Sequence, residues 1–253
     1  MRPGEAVRRD ERPVICITQA RLGSTRLPGK VLMPILGRPL LAWHLSRLGR
    51  AKAIDQVIVA TTVLPQDDAI VELCRGLGIP VFRGSQEDVL ERYLGAAAMA
   101  AAATIVRVTS DCPLIDPGVV DELVAAYHAR RPAIDYATLD RADFPRGLDA
   151  EVFSRAALEE AGQDAHAPAE REHVTPYLYR EGNGFRCFTL ANGAKAGHLR
   201  WCVDEPADFE LVRRIIEALA PARPEFSWRD CLAVMAAHPD WAELNRLVVQ
   251  KKV

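Results

Sequence analysis

Apolar residues follow two rhythms along the first 130 positions. Residues 14–18, 57–62, 81–82 and 104–109 form short runs of apolar and β-branched side chains with almost no polar alternation. That is the pattern of strands covered on both faces. Between them, residues 39–50, 67–77 and 86–103 carry apolar positions at helical spacing. Pro39 opens the first of these helices and Gly78 closes the second. Ser85 and Asp88 predict a capping box for the third. Asp116-Pro117 then supplies an N-cap and first-turn proline for a helix reaching about Arg130. Strictly alternating strands and helices predict a parallel sheet with helices on both faces.

After Arg130 the rhythm changes. Residues 134–139, 151–153, 185–190 and 199–203 are predicted strands. Short helices are expected at 154–161 and 168–179, the latter interrupted by Pro176. Phe209, Val212, Ile215, Ile216 and Leu219 define an amphipathic helix over 206–219. Ser227 and Asp230 cap a further one, and residues 241–253 are expected to add a final helix. No repeat or low-complexity linker divides the chain. The expectation is an α/β fold in one domain, residues 13–253, with a Rossmann-like, mostly parallel first half (13–131) and a mixed α+β second half (132–253). Residues 1–12 are charged and predict a disordered extension.

Composition narrows the picture. The chain has 253 residues, 49% of them hydrophobic, and a net charge of −2. The near-neutral balance gives no case for nucleic acid, so any anion site must be local. The six cysteines show no C-x-x-C pair or metal spacing, which suits a reducing, cytoplasmic setting. Residues 94–103 are mostly alanine and too short to span a membrane. No signal peptide is legible in the charged first residues.

The chemistry concentrates in Gln19-Ala-Arg-Leu-Gly-Ser-Thr-Arg-Leu-Pro-Gly-Lys30, directly after the first strand. Arg21, Arg26 and Lys30 stand among Gly23, Ser24, Thr25 and Gly29. Glycines and hydroxyls let backbone N–H groups approach an anion, and the cations neutralise it. The spacing is neither G-x-x-x-x-G-K-[ST] nor G-x-G-x-x-G. A basic surface turn is the plain alternative. Ligands of open α/β sheets, however, bind at the carboxyl ends of strands, which is where this loop falls.

Two carboxylates share that rim. Asp111 follows the predicted strand 104–109, and Asp204 follows 199–203. Opposite a phosphate loop, Asp111 is a natural Mg²⁺ ligand, because Mg²⁺ takes one or two carboxylates with phosphate oxygens and waters. Alternatively, Asp111 forms an Asx turn before Pro113, and Asp204 or Glu205 caps the helix at Pro206.

The chain resembles the sugar-acid cytidylyltransferases, which activate Kdo and sialic acids as CMP-sugars. The residues that carry the resemblance begin with the loop 20–30. They continue through Val59-Ala-Thr-Thr62, Phe82-Arg-Gly-Ser-Gln-Glu-Asp-Val-Leu-Glu-Arg-Tyr93 and Ser110-Asp-Cys-Pro-Leu-Ile-Asp-Pro117. Further matches are Phe144-Pro-Arg-Gly-Leu-Asp149, Arg171-Glu-His-Val-Thr-Pro-Tyr177 and Leu199-Arg-Trp-Cys-Val-Asp-Glu-Pro206. The subgroup named for the spore-coat polysaccharide protein SpsF is the most similar. The resemblance implies a GT-A-like nucleotidyltransferase fold, CTP as the nucleotide and Mg²⁺ as cofactor. It assigns Ala20, Arg21, Gly23, Ser24, Arg26 and Lys30 to the nucleotide, with Arg21, Lys30 and Asp111 catalytic. Asp111 and, by position, Asp204 would hold the metal, and Thr61 and Thr62 would lie near the base or ribose. Plain β propensity also explains the two threonines. A homodimer is implied as well.

Acceptor recognition is expected from polar groups in the second half, namely Arg146, Asp149, Arg171, His173 and Arg200, with Arg83 at the border. Arginines there suit an anionic, sugar-like acceptor. His173 is either a general base or a structural hydrogen-bonder. Three functions remain open: cytidylyl transfer to a sugar acid, phosphonate or phosphorylated polyol; glycosyl transfer on a GT-A fold; and a silent nucleotide-binding subunit. No D-x-D follows the third strand or accompanies Asp111, which weighs against glycosyl transfer.

Overall fold

The computed structural model describes residues 12–250. Four parallel strands open it: β1 (Val14–Gln19), β4 (Gln56–Thr62), β5 (Val81–Gly84) and β6 (Thr104–Thr109). β7 (Tyr136–Leu139), β8 (Glu151–Ser154) and β9 (Cys187–Leu190) extend the same sheet in the order β5-β4-β1-β6-β8-β7-β9. β8 runs antiparallel to both β6 and β7, whereas β9 is parallel to β7. The expected mostly parallel sheet is present, and the second half reverses direction beside β6. A small hairpin, β2 (Pro34–Ile35) and β3 (Arg38–Pro39), stands apart. Its turn, Leu36-Gly37, has positive φ at both residues, the geometry of a two-residue hairpin loop.

Helices cover both faces because β1 is apolar on both. Val14 and Cys16 point into one core, shared with α1 (Leu40–Leu48), α4 (Pro117–Arg130), α8 (Pro206–Leu219) and α9 (Trp228–Ala237). Ile15 and Ile17 point into the other, with α3 (Val89–Met99) and α5 (Arg155–Asp164). α2 (Asp68–Gly76), α6 (Pro168–His173) and α7 (Pro176–Tyr179) complete the set. The caps sit where the sequence placed them. Asp116 accepts from the Gly118 and Val119 amides, and Ser227 with Asp230 closes a capping box.

Several boundaries differ from expectation. α3 starts at Val89, capped by Asp88 through the Glu91 amide, while Ser85 closes a turn just before it. The helix over 168–179 breaks at Val174, where φ is +70°, before Pro176. Residues 199–203 make no strand. They pair with the turn at Arg146, which donates its amide to the Leu199 carbonyl and accepts from the Trp201 amide, and the Val203 amide donates to the Asp111 carbonyl. The expected final helix is a single 3-10 turn, Pro239–Glu243, followed by turns. Asn245 anchors that segment by donating to the Arg200 carbonyl and to Asp208. Most of the predicted N-terminal extension, and residues 251–253, lie outside the described residues.

Candidate active site

The loop after β1 is shaped by a carboxylate that lies far along the sequence. Asp67 accepts the Leu22 amide at 2.8 Å and the Thr62 hydroxyl. Leu22 in turn accepts from the amides of Ser24 and Gly29. Gly29 adopts φ +71°, a left-handed conformation open to glycine, and starts a 3-10 turn at Lys30. That turn sends the Lys30 side chain inward, leaving 10% of it exposed.

Lys30 ends between the carboxylates of Asp111 and Asp204. Its Nζ donates to Asp111 Oδ2 at 2.9 Å, Asp204 Oδ1 at 2.9 Å and the Val203 carbonyl at 2.6 Å. All three ammonium donors are therefore used. Burial pushes the Asp111 carboxyl up, but the Lys30 charge and hydrogen bonds from Thr109, Lys30 and Cys112 outweigh it and hold its pKa at about 2. Burial likewise lowers the Lys30 pKa, and Asp111 with Asp204 raises it above its ordinary value. Two hard oxygen donors thus converge on one cationic position. Among the described residues no group of three or more His, Cys, Asp or Glu side chains could hold a metal. A cation here would need a substrate's oxygens to complete its shell.

Surrounding groups fix these carboxylates. Asp204 also pairs with Arg26 at 3.0 Å and Arg200 at 2.7 Å. Arg200 reaches on to the fully buried Asp208 at 2.9 Å and to Gln250 at 2.5 Å. Behind Asp111, the His44 ring contacts the Cys112 carbonyl at 2.9 Å and the Thr18 hydroxyl at 3.0 Å. Burial lowers the His44 pKa to about 4, so the ring is neutral. Its Nδ1–H donates to the carbonyl and its Nε2 accepts from Thr18, which pins the Asp111-Cys112 turn.

A cavity of about 470 Å³ opens over this cluster. Ala20, Arg21, Ser24, Arg26, Lys30, Asp111 and Asp204 line it together with Arg146, Asp149 and His173. Gly147, between Arg146 and Asp149, adopts φ +108°, and a Cβ there would fall 2.6 Å from the backbone of Trp201 and Cys202. Only glycine lets the 146–149 turn approach so closely.

Other expected site residues lie elsewhere. Thr61 and Thr62 are fully buried behind the loop, and Thr62 acts on it through Asp67. Gly23 lies against Gln66, outside the cavity lining. Arg83 turns away, donating to the Thr62 and Leu64 carbonyls and pairing with Asp68. Arg171 pairs with Asp88 and borders a separate depression that also touches Arg21. Arg200 lies beneath the cavity and supports Asp204. Arg83, Arg171 and Arg200 share one physical reason: each spends its donors on carbonyls or carboxylates of the scaffold.

The sequence reading missed Arg107, Arg141 and Glu151, all in the cavity wall. Arg107 carried a signal: a lone cation inside the apolar run Thr-Ile-Val-Arg-Val-Thr. Its partner Glu151 became visible only with the antiparallel register of β6 and β8.

A protein-family model described as cytidylyltransferase matches residues 15–218. The uncharacterized protein MJ1063 of Methanocaldococcus jannaschii is 41% identical over 200 residues, 78% of this chain and 81% of that protein. The spore coat polysaccharide biosynthesis protein SpsF of Bacillus subtilis is 30% identical, covering 90% of this chain and 96% of its own. A 3-deoxy-manno-octulosonate cytidylyltransferase of Pseudomonas syringae pv. tomato is 34% identical, covering 80% and 97%. Among solved structures, a cytidylyltransferase from Leptospira borgpetersenii superposes with a TM-score of 0.87 at 34% identity, covering 94% of this chain and 99% of that one. Because the family match runs from β1 into α8, taking in the basic loop, Asp111 and Asp204, the chain belongs to the cytidylyltransferase family of nucleotidyltransferases.

Proposed function

We propose that the protein is a Mg²⁺-dependent enzyme that transfers CMP from CTP to an acidic sugar, releasing pyrophosphate, in surface polysaccharide or glycoconjugate synthesis. The observation that carries this reading is the meeting of Lys30 with both Asp111 and Asp204 at 2.9 Å beneath the basic loop. The SpsF and 3-deoxy-manno-octulosonate cytidylyltransferase relatives favour a sugar-acid product. A cytoplasmic homodimer is part of the proposal. No helix among the described residues is long and apolar enough to cross a membrane.

Asp111 and Asp204 would hold Mg²⁺. Both offer hard oxygens, and Asp111 stays ionised down to about pH 2. Bound there, the ion supplies charge neutralisation at the phosphate oxygens. The chain's own residues do the rest. Arg21, Ser24 and Arg26 orient the triphosphate so that an acceptor oxygen approaches the α-phosphate in line. Lys30 and the arginines meet the negative charge that grows on the leaving pyrophosphate. Arg146 and Asp149 position the acceptor, with His173 beside them to take its proton.

Incubation with CTP, Mg²⁺ and a panel of acceptors tests the proposal, with pyrophosphate and adduct mass as readouts. A CMP-sugar acid with one pyrophosphate per turnover is expected. Release of a nucleotide from a nucleotide sugar, without pyrophosphate, would establish glycosyl transfer instead. A CDP-linked adduct of a phosphorylated polyol, or a CMP-phosphonate, would move the acceptor class and leave the chemistry intact.

A further inference from the structure

Arg107 occupies a position where an apolar residue would be expected. It sits between Val106 and Val108 in β6, with 12% of its side chain exposed. Glu151 lies directly opposite in the antiparallel register, and the two form an ion pair. Glu151 also accepts from the Tyr136 hydroxyl at 2.5 Å and the Thr175 hydroxyl at 2.7 Å. Both carboxylate oxygens are therefore engaged. The guanidinium is not equally satisfied. Its hydrogen bond to Glu151 runs through Nη1, and its buried Nε has no partner.

This arrangement makes little sense as a source of stability. The cost of desolvating two charges offsets most of their attraction, and an apolar pair of similar volume commonly serves a core better. A buried donor without a partner adds a further penalty. What the pair does achieve is a fixed guanidinium at the cavity wall, beside Thr138, Arg141 and Tyr179. Nη1 is held by Glu151, and the part of the guanidinium that reaches the cavity is fixed with it. Arg141 is exposed and Arg146 half-buried, so both must lose rotamer freedom to grip a ligand. Arg107 has already lost it.

We propose that Arg107 determines acceptor specificity by taking the acceptor's carboxylate on the part of its guanidinium that reaches the cavity, which selects a sugar acid over a neutral sugar. A planar carboxylate matches the guanidinium fork, and an immobile fork discriminates by geometry as well as charge. The inference rests on the anionic-acceptor reading above, and it goes further in naming the residue and the anion.

Calorimetric titration tests it, with protein loaded with Mg²⁺ and a non-transferable CTP analogue. The probes are 3-deoxy-manno-octulosonate, N-acetylneuraminate and, as a neutral control, N-acetylmannosamine. R107Q leaves Glu151 without its countercharge, so R107Q/E151Q and the charge-keeping R107K accompany it. The analogue's affinity reports the fold of each variant. Wild type should bind a sugar acid and not the neutral sugar. The two glutamine variants should lose on the order of 10- to 100-fold in that affinity, and R107K less, with nucleotide affinity unchanged. A double variant that binds nucleotide normally and the sugar acid as tightly as wild type overturns the role of Arg107 and leaves the acidic acceptor standing. Wild type that binds neither sugar acid refutes the acidic-acceptor reading and this inference with it.

Discussion

Lys30→Gln removes the charge that both Asp111 and Asp204 face. In the native protein the Asp111 carboxyl falls from an ordinary 3.8 to about 2. That difference corresponds to about 2 kcal/mol of stability near neutrality. Because the folded value lies below the unfolded one, this stability is present above about pH 4 and is lost as the pH falls towards 2. In the variant, burial acts without the opposing ammonium, and the Asp111 pKa rises. The variant thus loses the stability that Lys30 confers on ionised Asp111. The variant should melt about 5 to 10 °C below wild type at pH 7. The gap should narrow as the pH falls from about 4 towards 2, where protonation removes the wild type's advantage. Turnover should fall on the order of a hundredfold, since the proposed function has Lys30 meet the leaving pyrophosphate. Scanning calorimetry of both proteins between about pH 2 and 7 measures the gap. A difference in melting temperature that stays constant across that range would refute the reasoning, because Asp111 would then not answer to Lys30.

Removing divalent cations with EDTA should stop pyrophosphate release, and added Mg²⁺ should restore it; turnover that persists in EDTA refutes the two-aspartate site. Arg200→Met leaves Asp208 fully buried with amide donors from Asp204, Glu205 and Asn245 but no countercharge. A loss of about 3 kcal/mol is expected by urea denaturation, and an unchanged midpoint would show that those donors suffice. Gly147→Ala would press a Cβ to 2.6 Å from the Trp201–Cys202 backbone. It should displace Arg146 and Asp149 and raise the KM for the acceptor more than that for CTP, whereas equal changes would point to global damage.

How much of this was legible beforehand depended on whether a residue acts locally. The parallel strands, the caps at Asp116 and Ser227, and the basic loop announce themselves within a few positions, because propensity and capping are short-range effects. The place of Asp111 followed from the rule about strand ends, whereas Asp204 reaches Lys30 from a segment that forms no strand. What stayed hidden was long-range pairing. Arg83 and Arg200 look like site residues in sequence and are scaffold residues in space, since their partners Asp68, Asp208 and Gln250 are set by tertiary packing. Arg107 and Glu151 became a pair only once β8 reversed direction against β6. Residues 199–203 have strand composition, but the amides of Trp201 and Val203 bond to Arg146 and Asp111, which lie outside the strands.

The Lys30 contact with the Val203 carbonyl joins positions 173 residues apart. During synthesis the nucleotide loop leaves the ribosome early, and the residues that complete its cation site leave much later. At roughly 5 to 20 residues per second, about 9 to 35 seconds separate the two. A nascent chain in that interval carries a basic loop with nothing to close it. The proposed cation site would lack its second carboxylate throughout that interval. Only a finished chain can bring Asp204 back to the lysine beside the first strand, so the site's assembly reports that the fold is complete.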